Sequence, residues 1–305
     1  MIYLCRKGST EEERALRKRR IHTDNGQIKL ISVPCNLCGC YGGKLIHVEG
    51  RYSMWKCLSC DFIYLNPRPD PPSLHSSYQS YLPEDELGIE RWREMMVPVF
   101  SRAADFIEEN HHRGRILDVG TGYGHFLLEM ERRGWEALGL EISHTGVEFA
   151  RKRLGVNILD KTLEESQLPD NHFHAITAFY VIEHLDDPMA FLRECYRVLK
   201  PGGVILIRYP HTTPIKNFLA FFGVQNTLYD TPYHLSDFSP KTIKKFLVKA
   251  GFDRCQSFIG GYTLPAHFPS RVVCRLFGTI SQGLFFLSGN RFLLPGVSKT
   301  ATGRK

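Results

Sequence analysis

The sequence predicts an α/β protein: a doubly wound, mostly parallel sheet preceded by a small ribbon held by cysteines. Three observations carry this reading. An apolar run, Arg115-Ile116-Leu117-Asp118-Val119, ends in glycines at Gly120, Gly122 and Gly124 and turns amphipathic at His125. Strand-like and helix-like patterns then alternate as far as Ala250, as a parallel sheet with crossover helices requires. Upstream, Cys35-x2-Cys38 and Cys57-x2-Cys60 stand eighteen residues apart.

The alternation predicts strands over 116–119, 137–141, 156–159, 175–179 and 204–208. It predicts helices over 125–133, 145–154, 188–199 and 240–250, with Pro201-Gly202-Gly203 as a stop before a strand. An earlier helix is predicted over 90–110, with Trp92, Met96, Phe100 and Ile107 on one side. The run Asn66-Pro67-Arg68-Pro69-Asp70-Pro71-Pro72 reads as a linker that breaks helix and strand alike. Tyr78 and Tyr81 follow it on the way to the site. The chain thus divides into a basic leader at 1–27, a ribbon at 28–70, a linker and helix at 71–112, and the sheet domain at 113–305.

The net charge of +7 is unevenly placed. Residues 1–20 and 291–305 each carry four net positive charges, so the stretch between them sums to −1. A near-neutral body argues against a nucleic-acid partner, and basic tails read as solvated or weakly drawn to membranes. No signal peptide and no membrane-length apolar run is evident, which predicts a cytoplasmic, reducing setting with thiols free of disulfides.

Each Cys-x2-Cys pair can form a knuckle, and two knuckles complete a tetrahedral four-thiolate zinc site at Cys35, Cys38, Cys57 and Cys60. Four thiolates leave no open position, so the zinc is structural: it holds a segment too short to bury its own core. Cys40 lies near enough to compete but reads as a spare thiol, and Cys5, Cys195, Cys255 and Cys274 read as small apolar residues.

A dinucleotide turn would place its third glycine at position 125, which is His125. Glu141 closes the next strand, 23 residues after Asp118, where a carboxylate can accept both hydroxyls of a ribose. The set Ile116–Gly124, Glu141, Ala178–Leu185 (AFYVIEHL) and Leu199–Ile207 (LKPGGVILI) resembles the class I S-adenosylmethionine-dependent methyltransferases. The resemblance covers about half the chain. Cys57–Pro69 and His234-Leu235-Ser236-Asp237-Phe238-Ser239-Pro240 resemble a subset with an N-terminal zinc segment, some of whose members methylate sugars or other small metabolites. Two positions depart from the pattern: His174, where Asp is usual, and Lys161, where a small residue is frequent.

The resemblance implies a Rossmann-like sheet of seven strands and S-adenosylmethionine as cofactor. Asp118 and the backbone of Gly120, Gly122 and Gly124 would accommodate its amino-acid part. Glu141 would hold the ribose, with Ile142, Thr162 and Leu163 around the adenine. Phe179 and Tyr180 would stand near the methionine part and the substrate mouth. The Phe179-Tyr180-Val181-Ile182 stretch, in place of Asn/Asp-Pro-Pro-Tyr, argues against methylation of exocyclic base amines.

Methyl transfer to a hydroxyl needs a group to take or orient its proton, and histidine suits that task near neutral pH. The candidates are His234, then His184 and His211; Glu183 reads as structural. The expected function is O- or C-methylation of a small-molecule acceptor, such as a sugar or glycan precursor. The alternatives are an RNA methyltransferase that reads RNA with its ribbon, and a non-enzymatic binding module. Finally, Val273, Leu276, Phe277, Ile280, Leu284 and Leu287 recur at helical spacing near Arg271 and Arg275. They predict either a helix covering the sheet or the substrate pocket, or an interfacial helix that brings the protein to a lipid-linked substrate at a membrane.

Overall fold

The computed structural model describes residues 29–79, 82–223, 228–263, 268–289, 291–294 and 298–305. The leader expected over 1–27, Cys5 and Tyr81 lie outside them.

The chain opens with β1 (Leu30–Ile31), β2 (Lys44–Glu49), β3 (Tyr52–Lys56), β4 (Ile63–Leu65) and β5 (Arg68–Pro69). β2, β3 and β4 form an antiparallel meander, and β5 pairs back onto β1. The expected linker is therefore ordered structure. Pro69 ends a two-residue pairing. Pro71 opens α1 (Pro71–Gln79), where a missing N–H costs nothing, and Asp70 accepts the Ser73 N–H at 3.2 Å.

Next comes α2 (Glu86–Asn110), capped by Asp85, burying Met96, Val99, Phe100, Ala103, Ala104 and Ile107. The large sheet is built from β6 (Arg115–Val119), β7 (Glu136–Glu141), β8 (Ile158–Asp160), β9 (Phe173–Phe179) and β10 (Leu199–Tyr209). Its helices are α3 (His125–Arg132), α4 (His144–Phe149), which runs on as a π turn through Leu154, and α5 (Pro188–Val198). After α6 (Thr213–Phe221) come β11 (Ser236–Asp237), α7 (Pro240–Ala250), β12 (Asp253–Phe258), α8 (Phe268–Leu287) and β13 (Lys299–Arg304).

The sheet has seven strands in the order β12-β13-β10-β9-β6-β7-β8, parallel from β10 to β8, with β13 antiparallel to both neighbours. The predicted Rossmann-like sheet is thus the observed one. The strand order reverses between β6 and β9, so a crevice opens where their carboxyl ends diverge.

One expectation fails instructively. The basic carboxyl end is no solvated tail: β13 lies between β10 and β12, and Lys299 is fully buried. Burial pushes the Lys299 ammonium down to about 7, and it donates to the Leu294 carbonyl at 2.7 Å. Lys-Thr-Ala-Thr-Gly-Arg has no apolar run, so its strand is invisible to hydropathy. In α8 the side chains of Val273 and Phe277 lie outside the described ones. Its buried side holds Gly278, against Tyr262, and Ser281, whereas Leu276, Ile280, Phe286 and Leu287 are more than half exposed. No helix among the described residues is long and apolar enough to cross a membrane.

The ribbon is welded to the main body. β11 joins β4 at the edge of the meander, and the Leu65 N–H donates to the Leu235 carbonyl at 2.8 Å. Phe62 packs on Phe238 and Phe246, at 5.2 and 4.8 Å between ring centres. From α7, the Lys245 and Lys249 ammonium groups donate to the carbonyls of Cys60 and Leu37.

Candidate functional site

The glycine turn is built by backbone need. Gly120, Gly122 and Gly124 have φ of +67°, +58° and +80°, a region that side chains disfavour. A Cβ on Gly120 would lie 2.4 Å from Val181 Cγ2, so alanine does not fit there. A Cβ on Gly122 would lie 3.2 Å from the Trp92 ring, which places α2 over the turn. Gly124 caps α3 and faces Ala150 and Val156, a packing role.

Glu141 faces this turn from the end of β7. One carboxylate oxygen accepts the Gly122 N–H at 2.7 Å; the other accepts the N–H groups of Ile142 and Ser143 at 2.9 and 2.8 Å. Burial nonetheless pushes its carboxyl above the usual range. Asp118 is buried beneath the turn at 1% exposure. One of its oxygens accepts the Thr177 hydroxyl at 2.6 Å, and the other has no partner. Burial pushes this carboxyl up to about 7.

A cleft of about 390 Å³ opens at the strand ends. Val119, Gly120, Glu141, Ile142, Thr162 and Leu163 form one side of it, and His75 and Tyr78 of α1 another. Val181, His184, Asp186 and Asp187 also line it. Of the residues expected to hold a cofactor, Gly120, Glu141, Ile142, Thr162 and Leu163 thus share one cleft. Asp118, Gly122 and Gly124 support it from behind. Phe179 belongs to the core, with its ring 5.0 Å from Phe100 and 4.8 Å from Phe126. Lys161 lines the cleft, whereas His174 is structural: its Nδ1 accepts the Arg115 N–H at 2.9 Å.

α1 was missed as a wall of the site. The signal was present in Asp70-Pro71, an N-cap followed by a proline suited to a first helical position.

The three histidines separate. His184 lies in the cleft wall, and its ring stands 4.8 Å from that of His234. His184 Nδ1 is 3.0 Å from the Tyr233 carbonyl. Burial pushes His184 and His234 down to about 3 and about 4, so both imidazoles are neutral near pH 7 with a lone pair to offer. His211 is not among the cleft residues. Tyr180 follows β9 with φ of +57°, rare for a side-chain-bearing residue, and its hydroxyl accepts from Arg208 Nε at 3.2 Å. That turn sets Val181 against Gly120 and swings His184 into the wall.

Away from the cleft, Cys35, Cys38, Cys57 and Cys60 converge with their sulfurs within 4.8 Å of one another. The Cys35–Cys60 and Cys38–Cys57 pairs are each 3.5 Å apart. Thiolates so close repel unless a cation lies among them, so the cluster is consistent with a zinc site. Cys40 is disulfide-bonded, against the expectation of a spare thiol, and does not compete for the cluster.

Residues 90–256, more than half the chain, match a family described as "Methyltransferase domain". A protein of Mycolicibacterium smegmatis named "Probable S-adenosylmethionine-dependent methyltransferase" is 35% identical over 142 residues, covering 45% of this chain and 51% of its own length. A ubiquinone biosynthesis O-methyltransferase of Alkalilimnicola ehrlichii is 31% identical over 120 residues, 37% of this chain and 49% of its own. The chain therefore spans about half the length of these curated relatives. The solved structure of a methyltransferase from Archaeoglobus fulgidus, at 23% identity, superposes with a TM-score of 0.50 over 72% of this chain and 100% of its own.

Proposed function

The chain belongs to the class I S-adenosylmethionine-dependent methyltransferases, and from that premise we propose that it methylates an oxygen or carbon of a small-molecule acceptor, a sugar or glycan precursor being the class in view. The carrying observation is one cleft that joins Gly120 and Glu141 on one side to His184 on the other. The residues fit the cofactor. The glycine turn leaves room where a Cβ would clash, and the Asp118 oxygen beneath it lacks a donor. Glu141 offers a carboxylate for vicinal hydroxyls, while Ile142 and Leu163 supply apolar surface for a base. The bound cofactor supplies a methyl group already activated on a sulfonium.

What remains for the protein is to align the acceptor, exclude water and manage a proton. His184 and His234 are assigned to position the acceptor hydroxyl for loss of its proton. Neither His211 nor His234 lines the cleft; His234 is carried forward because its ring stands 4.8 Å from that of His184, and His211 is not. A cleft of this size suits a small ligand, and the ribbon is engaged by β11 and by Lys245 and Lys249 of α7, which leaves RNA reading with less support.

An extract of small metabolites incubated with isotope-labelled methyl donor tests this directly. Wild type is expected to label a low-mass product. His184→Ala and His234→Ala are each expected to lower its formation about 100-fold while leaving S-adenosylhomocysteine binding intact. Full turnover in either variant removes that histidine, and label found in RNA alone refutes the acceptor class.

The zinc assigned to the four cysteines is likewise part of this reading. So is a peripheral membrane contact through α8, whose exposed face carries Leu276, Ile280, Phe286 and Leu287 beside Arg275. Flotation of the chain with anionic vesicles tests the contact. The removal of Leu276, Ile280 and Leu287 by serine substitution should abolish it, and a wild type that never floats contradicts it.

A further inference from the structure

Glu183, His184 and His234 bring one ligand atom each to within 4.8 Å of one another. Glu183 and His184 belong to a single 3₁₀ turn after β9. His234 comes from the segment before β11, held there because the Leu235 N–H donates to the Glu183 carbonyl at 2.8 Å. Two stretches distant in sequence are thus fastened at the point where the three side chains meet.

Glu183 is fully buried at 0% exposure, yet neither carboxylate oxygen has a hydrogen-bond partner. Asp237 adds a second carboxylate nearby. A buried carboxylate without a donor is costly, and either a proton or a cation relieves it. A proton on His184 Nδ1, directed at the Tyr233 carbonyl 3.0 Å away, leaves the lone pair on Nε2. That is the arrangement in which a carbonyl orients a metal-bound imidazole.

We propose that Glu183, His184 and His234 form a second metal site, distinct from the four cysteines, for a divalent transition cation that binds the acceptor through two adjacent oxygens. Two imidazoles and one carboxylate suit such a cation and leave positions open for substrate. Because His184 lines the cleft, those positions are reached from it. A hydroxyl bound to the cation has its O–H bond weakened. The proton passes to water, the electron pair stays on oxygen, and that oxygen becomes the nucleophile. The acceptor class, a vicinal diol or a hydroxyl beside a carbonyl, rests on the methyltransferase reading; the metal site does not.

The test is titration of the full zinc-loaded chain with Mn²⁺, followed by the spin-resonance signal of free Mn²⁺. Wild type is expected to take up one ion per chain. Glu183→Gln and His234→Ala are each expected to weaken uptake about 100-fold, with S-adenosylhomocysteine binding by calorimetry retained as proof of fold. Absence of uptake of Mn²⁺, or of Zn²⁺ beyond the four-cysteine equivalent, overturns the site, as does unchanged uptake in both variants. Failure of wild type to bind S-adenosylhomocysteine strikes the methyltransferase reading instead and leaves the metal result standing.

Discussion

Glu141→Ala is expected to lower affinity for S-adenosylhomocysteine about 100-fold, the largest loss of any single change in the cleft. Two hydrogen bonds from ribose hydroxyls to one carboxylate account for roughly 3 kcal/mol, and each 1.4 kcal/mol is tenfold. The same carboxylate holds the N–H groups of Gly122, Ile142 and Ser143, at 2.7 to 2.9 Å. Alanine leaves all three without an acceptor, so the glycine turn loosens and stability falls by about 2 kcal/mol. Glu141→Gln separates the two effects. It keeps a carbonyl oxygen for one part of the backbone, so its thermal midpoint should lie nearer wild type while affinity stays low. Calorimetry with S-adenosylhomocysteine and a thermal melt measure both quantities, and an Ala variant with wild-type affinity excludes Glu141 from the cofactor.

The second large effect is expected at the cysteines. Cys57→Ser should release the zinc, unfold the ribbon and reduce methyl transfer at least about tenfold, although no cysteine lies in the cleft. The route is structural. β4 holds β11 in register, Tyr64 opposite Ser236 and Ile63 opposite Asp237, and Leu65 is tied to Leu235 beside His234. On the other side, α1 follows the ribbon directly and supplies His75 and Tyr78 to the cleft. Losing the metal therefore disorders both the histidine segment and one wall. Metal content by mass spectrometry, with turnover on the same sample, checks this. Serine that keeps a full equivalent of zinc, or zinc loss with unchanged turnover, contradicts it.

The parts of the fold that were legible in the sequence are those whose burial is uniform. β6, β7 and β9 are apolar runs because both faces of a parallel sheet are covered, and the glycines after β6 announce a turn that only they can make. α7 was predicted with its observed bounds, Pro240 to Ala250, because Ser239 caps it and Gly251 ends it. β13 was hidden because its threonines, alanine and lysine carry no hydrophobic signature, and their burial is set by neighbours far away in the chain. α1 was hidden by its prolines, which mark a helix start as well as a break. Of the site, Gly120 and Glu141 could be named because they stand at strand ends, and Ile142, Thr162 and Leu163 through the resemblance to the methyltransferase motifs. Phe179 could not be placed from sequence, because strand alternation alone does not say which face meets α2 and α3. The closeness of His184 and His234 is a property of β11 joining the ribbon sheet, which no local pattern encodes.

The most direct measurement is a crystal structure of the chain soaked with S-adenosylhomocysteine. The account predicts the ribose hydroxyls on the Glu141 carboxylate, the adenine against Ile142 and Leu163, and the sulfur directed toward His184. A nucleoside bound elsewhere on the molecule, with Glu141 still closed on Gly122 and the cleft empty of ligand, would contradict it.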